Sequence, residues 1–127
     1  MRIRGDAVVL REGKLLLVRD KGEKNFSIPG GGAYKKEPSL AASVRELYEE
    51  LKMTAFEAKR LNICDYKGHY NKHEVVLIKT HDEPVINSKE LDEFIWWNMK
   101  DDIRKFPHVD YIAERLNEEY NLNSKDL

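Results

Sequence analysis

Around residue 29 the chain stops reading as short apolar strands and starts reading as a helix, and a run of glycines marks the change. Residues 3–10 (Ile-Arg-Gly-Asp-Ala-Val-Val-Leu) and 14–19 (Lys-Leu-Leu-Leu-Val-Arg) predict two strands joined by a turn at Arg11-Glu12-Gly13, with a charged loop at 21–24. Phe26-Ser27-Ile28 predicts a short strand, closed by Pro29 and by Gly30-Gly31-Gly32. From Pro38 to Leu51, apolar residues recur at Leu40, Val44, Leu47 and Leu51, and Ala41 and Tyr48 widen the stripe, the period of an amphipathic helix. Pro38 suits the first helical position, where its missing N–H loses nothing. A chain that must bury both kinds of element is confined to layered folds that mix them.

Further along, residues 55–66 and 74–80 read as strands with Gly68 and Asn71 in their connection, and Phe94-Ile95-Trp96-Trp97 as another. Val109, Ile112, Ala113, Leu116 and Tyr120 mark a second amphipathic helix, and the polar end from Asn121 to Leu127 is expected to fray. This order predicts an α+β domain whose helices cover a largely non-parallel sheet, and the length suits one domain over residues 1–127. Apolar residues at 41% and charged residues at 35% exclude a disordered chain. A net charge of −1 provides no global field for nucleic acid or an anionic membrane, so a polyanionic ligand needs local cations or metal ions. The lone Cys64 excludes an internal disulfide framework and a multi-cysteine zinc site. No stretch is long and apolar enough to span a bilayer, and Met1-Arg-Ile-Arg lacks a leader's apolar run, so the expected location is cytoplasmic.

The first helix carries Arg45-Glu46-Leu47-Tyr48-Glu49-Glu50. Glu46, Glu49 and Glu50 fall at i, i+3 and i+4, so their carboxylates share one face. Like charges so placed repel by up to about 0.5 kcal/mol per pair in an isolated helix. A solvated surface accounts for such a cluster, and so does a divalent cation, because Mg²⁺ and Mn²⁺ take oxygen ligands. The glycine run is no Walker loop, since no Gly-Lys-Ser/Thr follows; its expected role is to let backbone pass close to a metal site. His69, His73, His81 and His108 show no metal-ligand spacing and are expected in loops or on the surface. Of Trp96 and Trp97, one belongs in the core and the other faces either core or cleft. Arg2, Arg4 and Arg19, on the early strands, are candidates to meet phosphates.

Counting from Gly31, the pattern is Gly, five residues, Glu37, seven residues, Arg45-Glu46-Leu47, one residue, then Glu49-Glu50, with Met53 at the final aliphatic position. This resembles the box of the Nudix hydrolase family, G-x5-E-x7-R-E-U-x-E-E-x-G-U, where U is aliphatic. One position departs: Lys52 stands where the box has glycine. A lysine takes the left-handed conformation of that glycine at a cost of about 1 kcal/mol, or it extends the helix slightly. Phe26-Ser27-Ile28-Pro29-Gly30-Gly31 is similar to the family's Trp-x-Leu-Pro-Gly-Gly lead-in, and Glu90 followed six positions later by Trp96 resembles another common feature.

The resemblance implies an α/β/α sandwich with a mixed sheet flanked by helices. It also implies hydrolysis of a phosphoanhydride bond in a nucleoside di- or triphosphate, or in a nucleoside diphosphate linked to another group, with Mg²⁺ or Mn²⁺ as cofactor. Glu46, Glu49 and Glu50 are then the metal ligands, one of them doubling as general base, with the Gly30 carbonyl completing the shell. Arg45 orients the glutamates, Gly31 and Glu37 are structural members of the box, and Glu37 either pairs with Arg45 or caps the helix. Glu90 either reaches the metals and the water or is a surface glutamate. Tyr70 lies at the distance past the box where dinucleoside polyphosphate hydrolases often carry a tyrosine, while the short length equally suits enzymes that clear nucleoside triphosphates. A nucleotide is the expected partner; nucleic acid is disfavoured for want of a basic track, and a homodimer stays open. The alternative is a nucleotide-binding sensor or adaptor of the same fold that cuts nothing.

Overall fold

A computed structural model describes residues 1–120, so the fraying expected at 121–127 lies outside the described residues. The chain runs through β1 (Arg2–Val8), β2 (Leu10–Arg11), β3 (Lys14–Asp20), β4 (Gly30–Gly32), α1 (Ser39–Leu51), β5 (Glu57–Arg60), a 3₁₀ turn at Asn62–Cys64, β6 (Tyr66–Lys67), β7 (Asn71–Lys79), β8 (Leu91–Trp97) and α2 (Pro107–Tyr120). Among these residues the strands form a five-stranded sheet in the order β4-β1-β7-β5, with β6 also on β7, and a three-stranded sheet in the order β2-β3-β8. β1 and β7 are parallel and the other pairs antiparallel, so the larger sheet is mixed.

Alternation along the strands sorts the apolar side chains into two cores, because successive residues face opposite sides of a sheet. Ala7, Val9, Leu16, Val18, Val76 and Ile78 pack with Leu47 and Leu51 of α1. Val8, Leu15, Leu17 and Val75 pack with Val109, Ile112 and Leu116 of α2. The strands therefore lie between two helices, as expected of the sandwich.

Several boundaries differ from the sequence expectation. Pro38 is the extended residue just before α1 rather than its first helical one. The buried face of α1 is Ser39, Ala42, Ser43, Leu47 and Leu51, while Leu40 and Val44 are half-buried and Tyr48 is exposed. The cause is Gly5: a Cβ there would lie 2.4 Å from the Ser39 carbonyl oxygen and 2.9 Å from the Ser43 nitrogen. Strand and helix thus meet main chain to main chain, and small residues must occupy the contact. Phe26 and Ser27 make only isolated bridges, to Lys105 and Val18, and the regular strand falls on the glycines. The run at 55–66 breaks in two because Asp65 accepts two hydrogen bonds from Arg60, at 2.9 and 2.7 Å, and one from the Val75 N–H. Lys52 does take the left-handed conformation (φ 55°) and closes α1 with its N–H donating to the Tyr48 carbonyl. Trp97 is buried with its Nε1–H on the Asp101 carbonyl, and Trp96 packs toward the α1 side under the Arg11 guanidinium, so packing accounts for both rings.

Candidate active site

β4 and α1 converge so that the glycine loop lies against the acidic face of the helix. Gly31 has no room for a side chain, since a Cβ would sit 2.5 Å from the Glu46 carboxyl carbon. Gly30 adopts φ 142° and passes so close to Gly5 that any Cβ would strike its carbonyl oxygen, a conformation open only to glycine. The Gly30 N–H donates to Glu50 Oε1 at 3.0 Å.

Glu46 and Glu50, one turn apart, line a cavity of about 260 Å³ together with Arg2, Arg4, Asp20 and Glu90. Glu49 does not join them there: its side chain is 53% exposed and reaches Arg45 at 3.3 Å from the outer side of the helix. Glu90, from the connection before β8, is brought to the same cavity. Asp20, at the end of β3, joins as an acid that sequence reading missed, because nothing in its local pattern separates it from a surface aspartate. Arg19 is not in this cavity; it is held by Asp92 at 3.2 Å and Glu93 at 3.1 Å, and hydrogen bonding to Glu93 raises its pKa.

Arg45 is the organiser beneath the acids. Its guanidinium makes a bidentate pair with Glu37 at 3.0 and 2.9 Å, donates to Glu46 at 2.8 Å and to the Gly32 carbonyl at 3.2 Å, and lies 3.9 Å over the Tyr34 ring. This contact holds Glu37 below the usual carboxylate range, helped by the Tyr34 N–H. Glu50 is the opposite case. Burial pushes its carboxyl up to about 8, against the pull of the Gly30 N–H and the Arg4 charge and with repulsion from Glu46 and Asp20.

A second cavity, of about 470 Å³, adjoins the first through Arg4, Asp20, Ser27 and Asn71, which line both. Its other walls include Tyr66, Tyr70, Phe106, His73 and His108. Tyr70 stands at its rim, 78% exposed and edge-on to His69. The two histidines overturn the expectation of loop or surface positions. His73 and His108 are buried, and their rings stack at 4.1 Å and 16°. His73 sits in the alternation of β7 two residues before Val75, and His108 is four before Ile112 on the buried stripe of α2; both periodicities were readable. The His73 Nδ1 meets Asp6 Oδ2 at 2.8 Å, and the Ile28 N–H points at His108 Nε2 at 3.4 Å. Burial drives the His108 ring down to about 3, so it is neutral.

Asp6, His73 and His108 offer ligand atoms within 4.8 Å of one another. However, the Asp6 carboxylate is already shared between His73 and the Arg4 guanidinium at 2.9 Å, and a resident cation beside a metal opposes its binding. The trio reads as a hydrogen-bonded chain of side chains rather than a cage.

The model of the NUDIX domain matches residues 1–115, and the chain belongs to that family. By class it is therefore a Nudix-type pyrophosphohydrolase. No curated protein matches the sequence. Among solved structures, the chain is similar to a MutT Nudix hydrolase from Burkholderia pseudomallei, with 22% identity and a TM-score of 0.79 over 91% of this chain and 97% of that one. It is also similar to an ADP-ribose pyrophosphatase from Streptococcus suis, at 15% identity and a TM-score of 0.75 over 94% and 92% of the two chains. A C. elegans Ap4A hydrolase matches at 16% identity and a TM-score of 0.74 over 95% and 98%. At these identities the neighbours establish the fold. No helix among the described residues is long and apolar enough to cross a membrane.

Proposed function

We propose that this chain hydrolyses a phosphoanhydride bond in a nucleoside di- or triphosphate, or in a nucleoside diphosphate linked to another group, with Mg²⁺ or Mn²⁺ held by the acids of α1. One observation carries the reading: acids and guanidinium groups face each other across a single cavity that opens into a larger one walled by rings. Acids alone would repel a polyphosphate, and arginines alone would not favour water attack. Together they match a ligand that arrives as metal and phosphate at once.

The donor set fits such a cation. Burial first, and repulsion from Glu46 and Asp20 after it, hold the Glu50 carboxyl above its ordinary range, and a divalent ion relieves both. Glu46 and Glu50 would hold it from inside and the Gly30 carbonyl from the loop, while Glu49 would have to swing in from the outer side of the helix to join them. When bound, the ion neutralises phosphate charge and lowers the pKa of water.

The chain's own groups do the remaining work. Arg4 and Arg2 bind phosphate oxygens and orient the chain of phosphates. Arg45 keeps Glu46 aimed inward. Glu50 or Glu90, both in the lining of this cavity, would take the proton of the attacking water. The rings of the second cavity seat the nucleoside, and Tyr70 closes its rim.

The test is a panel of nucleoside triphosphates, dinucleoside polyphosphates and nucleoside diphosphate conjugates, scored for monophosphate release. At least one should turn over with Mg²⁺ or Mn²⁺ and stop on chelation. Tight nucleotide binding with no metal-stimulated turnover anywhere in the panel would overturn the reading.

A further inference from the structure

Asp6 has no part in the chemistry above, yet it is fully buried and its two oxygens hold two residues that line the cavities, Arg4 in both and His73 in the larger. Oδ1 accepts from Arg4 Nε at 2.9 Å, and Oδ2 meets His73 Nδ1 at 2.8 Å. Register explains the meeting. Arg4 and Asp6 alternate onto one face of β1, and His73 is paired with Arg4 across the parallel β1–β7 ladder. We propose that Asp6 is a positioning residue that locks Arg4 and His73 into one substrate-reading unit, the guanidinium for a phosphate and His73 Nε2 as acceptor for an N–H or amino group of a nucleobase. The inference rests on the nucleotide reading above and adds to it how the two ends of the substrate are held in register.

A carboxylate can only accept, so when the His73 ring carries one proton the hydrogen bond to Asp6 places it on Nδ1 and leaves Nε2 free to accept. Among the described residues no buried side-chain nitrogen or oxygen lacks a partner, so Nε2 does not end in the core but on the cavity its ring lines. The stacked His108 ring, itself neutral, prevents His73 from rotating out of this orientation. On the other side, Arg4 spends Nε on Asp6 and Nη2 on the Ile28 carbonyl at 2.8 Å, and no described acceptor meets Nη1, which is left for the ligand. Arg4 lines both cavities. Stability alone does not explain the group as a whole, since apolar residues of similar volume in place of all its members together would serve a buried site as well as the paired charges do. What an apolar residue lacks is the means to set a tautomer and a guanidinium plane together.

The test uses the whole chain. In the unmodified protein, ¹⁵N ring shifts of His73 should show the Nδ1–H tautomer; the Nε2–H tautomer would overturn the proposal, whatever any variant does. In Asp6→Asn the tautomer should be lost, and the KM for a nucleoside triphosphate should rise about tenfold while kcat moves less than twofold. A fall in kcat at unchanged KM would overturn it. His73→Phe keeps the stacked ring but removes Nε2; the preference in kcat/KM for a nucleoside triphosphate over inorganic tripolyphosphate should fall about tenfold, and an unchanged preference would count against the inference. Equilibrium binding of a non-hydrolysable nucleoside triphosphate analogue separates this from the broader reading. If nothing turns over but Asp6→Asn still weakens that binding about tenfold, the hydrolase reading fails and the role of Asp6 stands.

Discussion

Replacing Glu50 by glutamine should make the metal-free protein more stable while abolishing its turnover. The Glu50 carboxyl is pushed up to about 8 in the folded chain, chiefly by burial. In the unfolded chain it returns to about 4.3, and each unit between that value and the working pH costs about 1.4 kcal/mol as long as the folded form stays protonated. Because the folded value is the higher one, Glu50 imposes no penalty below about pH 4, and the penalty grows as pH rises until it levels off near pH 8. At pH 7 it amounts to about 3 kcal/mol, allowing for an amide nitrogen that must find its own partner in the glutamine variant. Glutamine keeps the oxygen that accepts the Gly30 N–H and cannot ionise. Urea denaturation in EDTA should therefore show Glu50→Gln about 3 kcal/mol more stable than the unsubstituted chain at pH 7, and equal to it near pH 4.5. Added Mg²⁺ should reverse the order by stabilising only the chain that retains the carboxylate. A variant that is less stable at pH 7, or whose advantage ignores pH, would refute the reasoning.

Lys52→Gly restores a residue at ease in the left-handed conformation that ends α1, and should raise stability by about 0.5–1 kcal/mol with activity unchanged, as read from denaturation midpoints and initial rates. Gly5→Ala drives a methyl into the main chain of α1; a loss of about 3 kcal/mol or more is expected, together with lost metal affinity by calorimetry as the acidic helix is displaced. Arg45→Lys keeps the charge but not the bidentate pair with Glu37, and kcat should fall on the order of tenfold while the far-UV dichroism stays the same.

Both helices were legible in the sequence because each carries a long apolar stripe, and the spacing from Gly31 to Glu50 told that glycine loop and acids would meet. The face that α1 buries was misread toward Leu40 and Val44. A stripe of large residues outweighs Ala42 and Ser43 in any reading by hydrophobicity, whereas the actual contact is decided by a glycine on another strand. Glu49 was grouped with Glu46 and Glu50 because i+3 and i+4 share a helix face, but a face of about a hundred degrees spans both a cavity and its outer wall. The Asp6–His73–His108 chain was missed altogether. Its members lie 67 and 35 positions apart, on β1, β7 and α2, and although the periods of β7 and α2 turn the two histidines inward, nothing local marks the three as partners. Only the parallel pairing of β1 with β7 brings the first two together, and parallel pairing leaves no local mark in a chain.

Where Gly5 passes α1, nothing but peptide stands between strand and helix. The span from glycine loop to acid-bearing helix is consequently a main-chain ruler, whose length no exchange of one buried aliphatic for another can alter. Leucines and valines under α2 are free to drift over generations without moving the acids relative to one another. New substrate preferences have then to be written in the ring-walled cavity beside them, which β7 and the start of α2 enclose and which no such ruler constrains.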